Sequence, residues 1–74
     1  MNEHFEYKPY GKSELAMLYI KRPVSTRAAL NWLKLEIESN KVLQERLLAL
    51  GYHSGQRIIT IAQLRAITEE IGEP

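Results

Sequence analysis

Gly11-Lys12-Ser13 matches the end of a phosphate-binding loop, whose chemistry would be to cradle the phosphates of a nucleotide. The full motif is G-x-x-x-x-G-K-[ST], in which glycines let backbone N–H groups wrap the phosphate oxygens. Counting back five residues from Gly11 reaches Glu6, a carboxylate where glycine is required. Pro9, inside the same span, has no N–H to offer. A chain of 74 residues also does not readily build the parallel sheet that carries such loops. The triplet is better read as the start of a helix.

Other reactive constellations are absent. The only histidines are His4 and His53, and the chain contains neither aspartate nor cysteine. Ser-His-Asp and Cys-His nucleophiles are thereby excluded, and a metal would lack ligands. Glu36 and Glu38 lie about 200° apart on a helix, so they do not converge as an acid–base pair. The expectation is a protein that is not an enzyme, with no catalytic residue, metal, cofactor or small-molecule substrate.

The chemistry that remains is recognition. Laid out at about 100° per residue, Arg27, Asn31, Lys34 and Glu38 fall in one stripe about 60° wide. Ala29, Leu30, Leu33 and Ile37 cover the opposite side, and Ala28, Trp32 and Leu35 form a third sector. Arg can bridge guanine O6 and N7, Asn can pair with adenine, and Lys can neutralise phosphate. Glu38 works against such a use, because it would repel phosphate. An ordinary amphipathic helix has the same polarity. Trp32 is expected to cover a contact with the third or fourth helix, and Leu35 beside it suits a subunit interface.

These residues need elements to position them. Residues 1–4 read as frayed. The alternation in Phe5-Glu6-Tyr7-Lys8 predicts a first strand over 5–8. Gly11 then caps a first helix, with Glu14 at its third position and Tyr10 and Leu15 placed as a hydrophobic staple. Pro23 breaks that helix, and Ser25 caps a second over Thr26–Ser39. Asn40 caps a third over 41–50, ended by Gly51, with Leu43, Leu47 and Leu50 on one face. Arg57-Ile58-Ile59-Thr60 predicts a second strand over 57–60. Thr60-x-x-Gln63 is a capping box, stapled by Ile59 and Leu64, for a fourth helix that stops at Gly72. The fold class is mainly α: one helix-turn-helix-like domain over 1–74, with four helices and a short two-stranded β element.

Composition bounds the function further. Hydrophobic residues make up 45% and charged residues 26%, a globular balance. No apolar run approaches the roughly 18 residues of a membrane span, so a soluble cytoplasmic protein without membrane contact is expected. The net charge is only +1, yet the stretch from Lys8 to Lys34 holds six bases against Glu14 alone. The end of the chain is acidic, with Glu69, Glu70 and Glu73.

Two motifs carry a resemblance. The "ELA" of Glu14-Leu15-Ala16, followed by a turn and a second helix, and then Arg57, Ile59, Thr60, Gln63, Leu64 and Ile67 in the pattern R-x-(Y/I)-T-x-x-(D/Q)-L-x-x-I, resemble the winged helix-turn-helix of excisionases and MerR-type regulators. The turn, Ile20 to Val24, is longer than usual. Over nearly the whole chain, Tyr10-Gly-Lys-Ser-Glu-Leu-Ala-Met-Leu-Tyr19, the Gly51-Tyr52 pair and the ending Ile71-Gly-Glu-Pro74 resemble the domain-of-unknown-function family 4248. That resemblance implies the size, the architecture and a prokaryotic cytoplasmic setting, often near mobile elements, with no established activity.

Two functions follow as expectations. One is a DNA-binding accessory or regulatory protein. Arg27, Asn31 and Lys34 would enter the major groove of double-stranded DNA, and Lys12 and Arg57 would hold phosphates. The other is a protein-interaction module, using an apolar patch near Trp32 and Leu35 or the acidic tail, with a homo-oligomer or another protein as partner. The element order and the basic stretch favour the first. The pI near 8.1 favours the second, since dedicated DNA-binding domains commonly exceed about 9. Leu15, Leu18, Leu33, Ile37, Leu47, Leu64 and Ile67 are the expected core. Leu64→Ala is therefore predicted to cost about 2–5 kcal/mol in urea unfolding. An unchanged midpoint would mean that the helix phases are misassigned.

Overall fold

The computed structural model describes residues 5–74; the frayed start read at 1–4, with His4, lies outside them. The chain is mainly helical. Strand β1 (Tyr10–Gly11) leads directly into helix α1 (Lys12–Tyr19), followed by α2 (Thr26–Ser39), α3 (Lys41–Ala49), strand β2 (Ile58–Ile59) and α4 (Ile61–Ile71). The strands pair antiparallel, Tyr10 with Ile59 and Gly11 with Ile58.

Capping explains most of the boundaries. The Ser25 hydroxyl accepts from the Ala28 N–H at 3.1 Å, and the Asn40 side chain accepts from the Leu43 N–H at 3.0 Å. Asn40 is at once the last residue of α2's frame and the cap of α3, so the two helices join with a single residue between them. At the end of α3 the Tyr52 N–H reaches the Leu47 carbonyl and the Gly51 N–H reaches that of Leu48. This double bond pattern needs a left-handed residue, and Gly51 supplies it with φ +81°. α3 accordingly ends at Ala49, one residue before the expected end. The Thr60–Gln63 box is formed, each side chain accepting from the other's backbone N–H at 3.2 Å.

The first strand departs from expectation. Residues 5–8 form no strand; β1 is Tyr10–Gly11, beyond Pro9. The apolar positions of 5–8 instead make aromatic contacts. Phe5 stacks on Tyr10 at 5.5 Å between ring centroids, and the Arg65 guanidinium lies 5.3 Å from the Tyr7 centroid. The one paired edge of β2 is already taken by Tyr10–Gly11.

The core gathers Leu15 from α1, Leu33 and Ile37 from α2, Leu43 and Leu47 from α3, and Leu64 and Ile67 from α4, together with Tyr10 and Ile59. Leu18 is a correction: it is 41% exposed. α1 has only eight residues, and its inward face is set by Leu15 and Ala16, with Met17 and Tyr19 partly buried beside them. Leu50 is also exposed, because it lies past the last turn of α3.

The register makes Ile59 buried and its neighbour Ile58 exposed. Ile59→Ala is expected to cost about 2–5 kcal/mol by urea denaturation. Ile58→Ala is expected to stay within about 0.5 kcal/mol. Equal losses at the two positions would contradict this register.

Candidate functional site: a basic groove along the second helix

Arg27, Asn31, Lys34 and Glu38 are all exposed on one side of α2, as the 3.6-residue period requires. They line one wall of a groove of about 1000 Å³, whose opposite wall is the end of α3 and the segment 52–57. Lys12, at the first turn of α1, and Arg57, at the end of that segment, line it too. The five residues read from sequence as a DNA contact set therefore share one concavity. Leu30, Leu47 and Leu48 add apolar surface to it, and Leu48 is 70% exposed.

The groove's electrostatics are one-sided. Among the described residues, the ion pairs join Lys8 to Glu6 and Arg46 to Glu69 and Glu70. Lys12, Arg27, Lys34 and Arg57 have no carboxylate of the described residues within 4.0 Å. Glu38 is, among the described residues, the one acidic residue lining the groove.

Lys12 is the most constrained of the five. Its backbone N–H, one of the orphan donors of a helix start, goes to the Arg57 carbonyl at 2.7 Å. Its ammonium donates to the Ser54 carbonyl at 2.7 Å and lies 5.2 Å from the Tyr52 ring centroid. At Gly11 the cap is a single bond, from the glycine N–H to the Glu14 carboxylate at 3.3 Å. Gly11-Lys12-Ser13 is thus a helix start, and its lysine grips a loop of the same chain.

Sequence reasoning missed the buried amide of Gln63, which is 2% exposed. Besides closing the capping box, its Oε1 accepts from Gln56 Nε2 at 2.6 Å and its Nε2 donates to the Leu50 carbonyl at 3.1 Å. The box was visible in the sequence; the partners at 50 and 56 were not, because they come from a loop that only the tertiary fold brings back.

Trp32 and Leu35 are placed apart from the groove. Trp32 is half-buried and packs on Tyr19 of α1 at 5.4 Å between centroids, where a contact with α3 or α4 was expected. The six-residue connection between α1 and α2 brings Tyr19 back beside it. With Lys21, Arg22 and Val24, the two rings line a second hollow of about 460 Å³. Leu35 is 55% exposed and lines neither concavity.

The acidic end is engaged internally. Arg46 bridges Glu69 at 2.6 Å and Glu70 at 3.2 Å, and these carboxylates raise its pKa, the hydrogen bond to Glu69 first. Glu73 accepts from the Tyr7 hydroxyl at 2.7 Å. Among the described residues no cluster of three His, Cys, Asp or Glu is set to hold a metal ion, and no helix is long and apolar enough to cross a membrane.

Four helices and a two-rung antiparallel sheet define a small, mainly helical domain, with basic residues lining the groove beside α2. A family model described as a domain of unknown function (DUF4248) matches residues 6–74, and the chain belongs to that family. No curated protein and no solved structure matches it.

Tyr19 generates a test of the packing beside Trp32. Burial, and then the nearby Tyr7 and Glu73, raise its pKa well above the ordinary tyrosine value. The folded state therefore holds this proton more tightly than the unfolded chain. Stability should be level below the unfolded value near 10 and fall as pH rises above it. Tyr19→Phe should flatten that fall, as read from urea midpoints between about pH 8 and 11. Parallel declines for the two proteins would remove Tyr19 as the cause.

Proposed function

We propose that this chain is a non-enzymatic nucleic-acid-binding module, a cytoplasmic helix-turn-helix-type accessory or regulatory protein that holds double-stranded DNA along its basic groove. The supporting observation is the convergence of Lys12, Arg27, Lys34 and Arg57 on one concavity with no ion-pair partner among the described residues. Cations in a low-dielectric cleft focus the field and attract a polyanion. In this reading α1 and α2 are the paired helices, and α2 is the one that reads bases. Arg27 and Asn31 offer bidentate donors and acceptors to base edges, while Lys34 and Arg57 meet phosphates on either side. Glu38, near the α2 C-terminus, limits how far the backbone runs along the helix. A single module of this size binds weakly alone and is expected to act as a dimer or beside neighbouring copies.

A second reading keeps the groove and changes the occupant to an acidic amphipathic segment of a protein. Leu48, 70% exposed and lining the groove with Leu30 and Leu47, favours it. Apolar anchors would seat there and carboxylates would meet the bases on the rim.

Titration of a labelled duplex separates the two. Neutralising two phosphates gives a log–log salt slope of roughly −2, so affinity should fall on the order of 10-fold between about 50 and 200 mM salt. Arg27→Ala should cost about 1–3 kcal/mol on a preferred site and relax the preference there. Absence of binding at the lower salt would remove the DNA reading. The peptide reading would then stand, with Leu48→Ser as its matching lesion.

A further inference from the structure

The groove wall opposite α2, residues 52–57, contains no helix or strand of its own. Side chains hold it in place. From α1, Lys12 takes the wall at two points, its backbone N–H on the Arg57 carbonyl and its ammonium on the Ser54 carbonyl, both at 2.7 Å. From α4, the buried Gln63 amide ties Leu50 at the near end and Gln56 within the wall. Gln56 passes the tie on: its Oε1 accepts from the His53 N–H at 3.0 Å, and its Nε2 also reaches the Ile58 carbonyl at 2.7 Å.

We infer that Lys12 and the Gln56–Gln63 pair are positioning residues for the groove, and that Lys12 acts on a bound nucleic acid through the wall it holds rather than by meeting a phosphate. This rests on the nucleic-acid reading. The physical case is one of competition. Lys12 is half-buried as a residue, and its ammonium is bonded to a carbonyl and set against an aromatic face. Turning it to a phosphate would break that bond and that contact and loosen the wall at Ser54, leaving only the Lys12 backbone N–H on the Arg57 carbonyl. Arg57 and Lys34 are exposed and have no such internal partner among the described residues. Gln63 does not line the groove, so any effect it has on binding must travel through the wall.

The test has two arms, both on the full chain. The first measures amide hydrogen exchange at His53 and Gln56 in the free protein. These are the two wall amides whose bonds, His53 to Gln56 Oε1 and Gln56 to the His53 carbonyl, depend on the clamp. The second measures affinity for a labelled random-sequence duplex across a salt series. Lys12→Met and Gln63→Met should each speed exchange at both amides and weaken DNA binding about 3- to 10-fold, the scale of one lost hydrogen bond. Both should leave the salt slope at its wild-type value. Arg57→Met should do the reverse, with exchange unchanged and the slope reduced by about one. A Lys12→Met protein with unchanged exchange and a slope reduced by about one would overturn the inference, because its lysine would then be a phosphate contact. Unchanged exchange in both clamp variants would overturn it as well. If Gln63→Met fails to fold, Lys12→Met alone carries both arms, and unchanged exchange in it then overturns the inference. If the wild-type protein binds no duplex, the functional reading fails, and exchange alone then decides whether the clamp exists.

Discussion

The pairing of Tyr10 with Ile59 is the constraint on which the rest of the structure depends. Each of these residues immediately precedes the cap of a helix, Gly11 for α1 and Thr60 for α4. Each also serves as the outer half of a hydrophobic staple, with Leu15 and Leu64 as the inner halves, and all four are buried in the same cluster. One cross-strand pair therefore fixes the starting points of two helices. A two-residue ladder would be marginal by itself in water. It persists because its side chains belong to the core: complete burial of one isoleucine contributes about 1.5–3 kcal/mol, more than the net of a typical backbone hydrogen bond.

The groove inherits its geometry from that pair. The next rung of the ladder is the bond from the Lys12 N–H to the Arg57 carbonyl. A slip of one residue would exchange Ile58 for Ile59 in the core and move Lys12 off the wall. The position of the segment 52–57 is thus coupled to core packing through backbone, and to α4 through the Gln63 amide. In a chain too small to give its loops a frame of secondary structure, buried polar side chains take over that work. Every buried side-chain nitrogen and oxygen among the described residues has a partner. That satisfaction is what makes such a network ordering instead of costly.

Features set by near neighbours were legible in the sequence. The caps at Ser25, Asn40 and Thr60 and the glycine stop at Gly51 involve partners within five residues, so type and spacing suffice to find them. The stripe of Arg27, Asn31, Lys34 and Glu38 was legible for the same reason, as a consequence of helical period. What the stripe faces was not. Its opposing wall lies about twenty residues further along the chain and is held by Lys12 and Gln63, one from each end of the fold. The strand expected over 5–8 shows the converse. Its alternation is genuine, since Phe5 and Tyr7 both make aromatic contacts. Alternation says which side chains share a side, but a strand also needs a free backbone edge, and β2 offered that edge to Tyr10–Gly11.

Net charge understates the groove for a related reason. At +1, and with a pI near 8.1, the chain looks poorly suited to a polyanion. That sum treats every charge as equally available. Glu69 and Glu70 are held by Arg46, Glu73 by the Tyr7 hydroxyl, and Glu14 by the backbone of its own helix start. These bonds place much of the acidic charge where it serves the fold. Among the described residues Arg27, Lys34 and Arg57 keep no such partner on the groove, and Lys12 bonds a neutral carbonyl that leaves its charge in place. At physiological ionic strength the screening length is about 8 Å, so a ligand in the groove responds to the charges lining it far more than to an acidic helix end elsewhere on the molecule. The quantity that bears on recognition is the charge left over after the fold has used what it needs, taken within one screening length of the surface in question. For this groove it comprises Lys12, Arg27, Lys34 and Arg57 against Glu38, a basic excess that the whole-chain balance conceals.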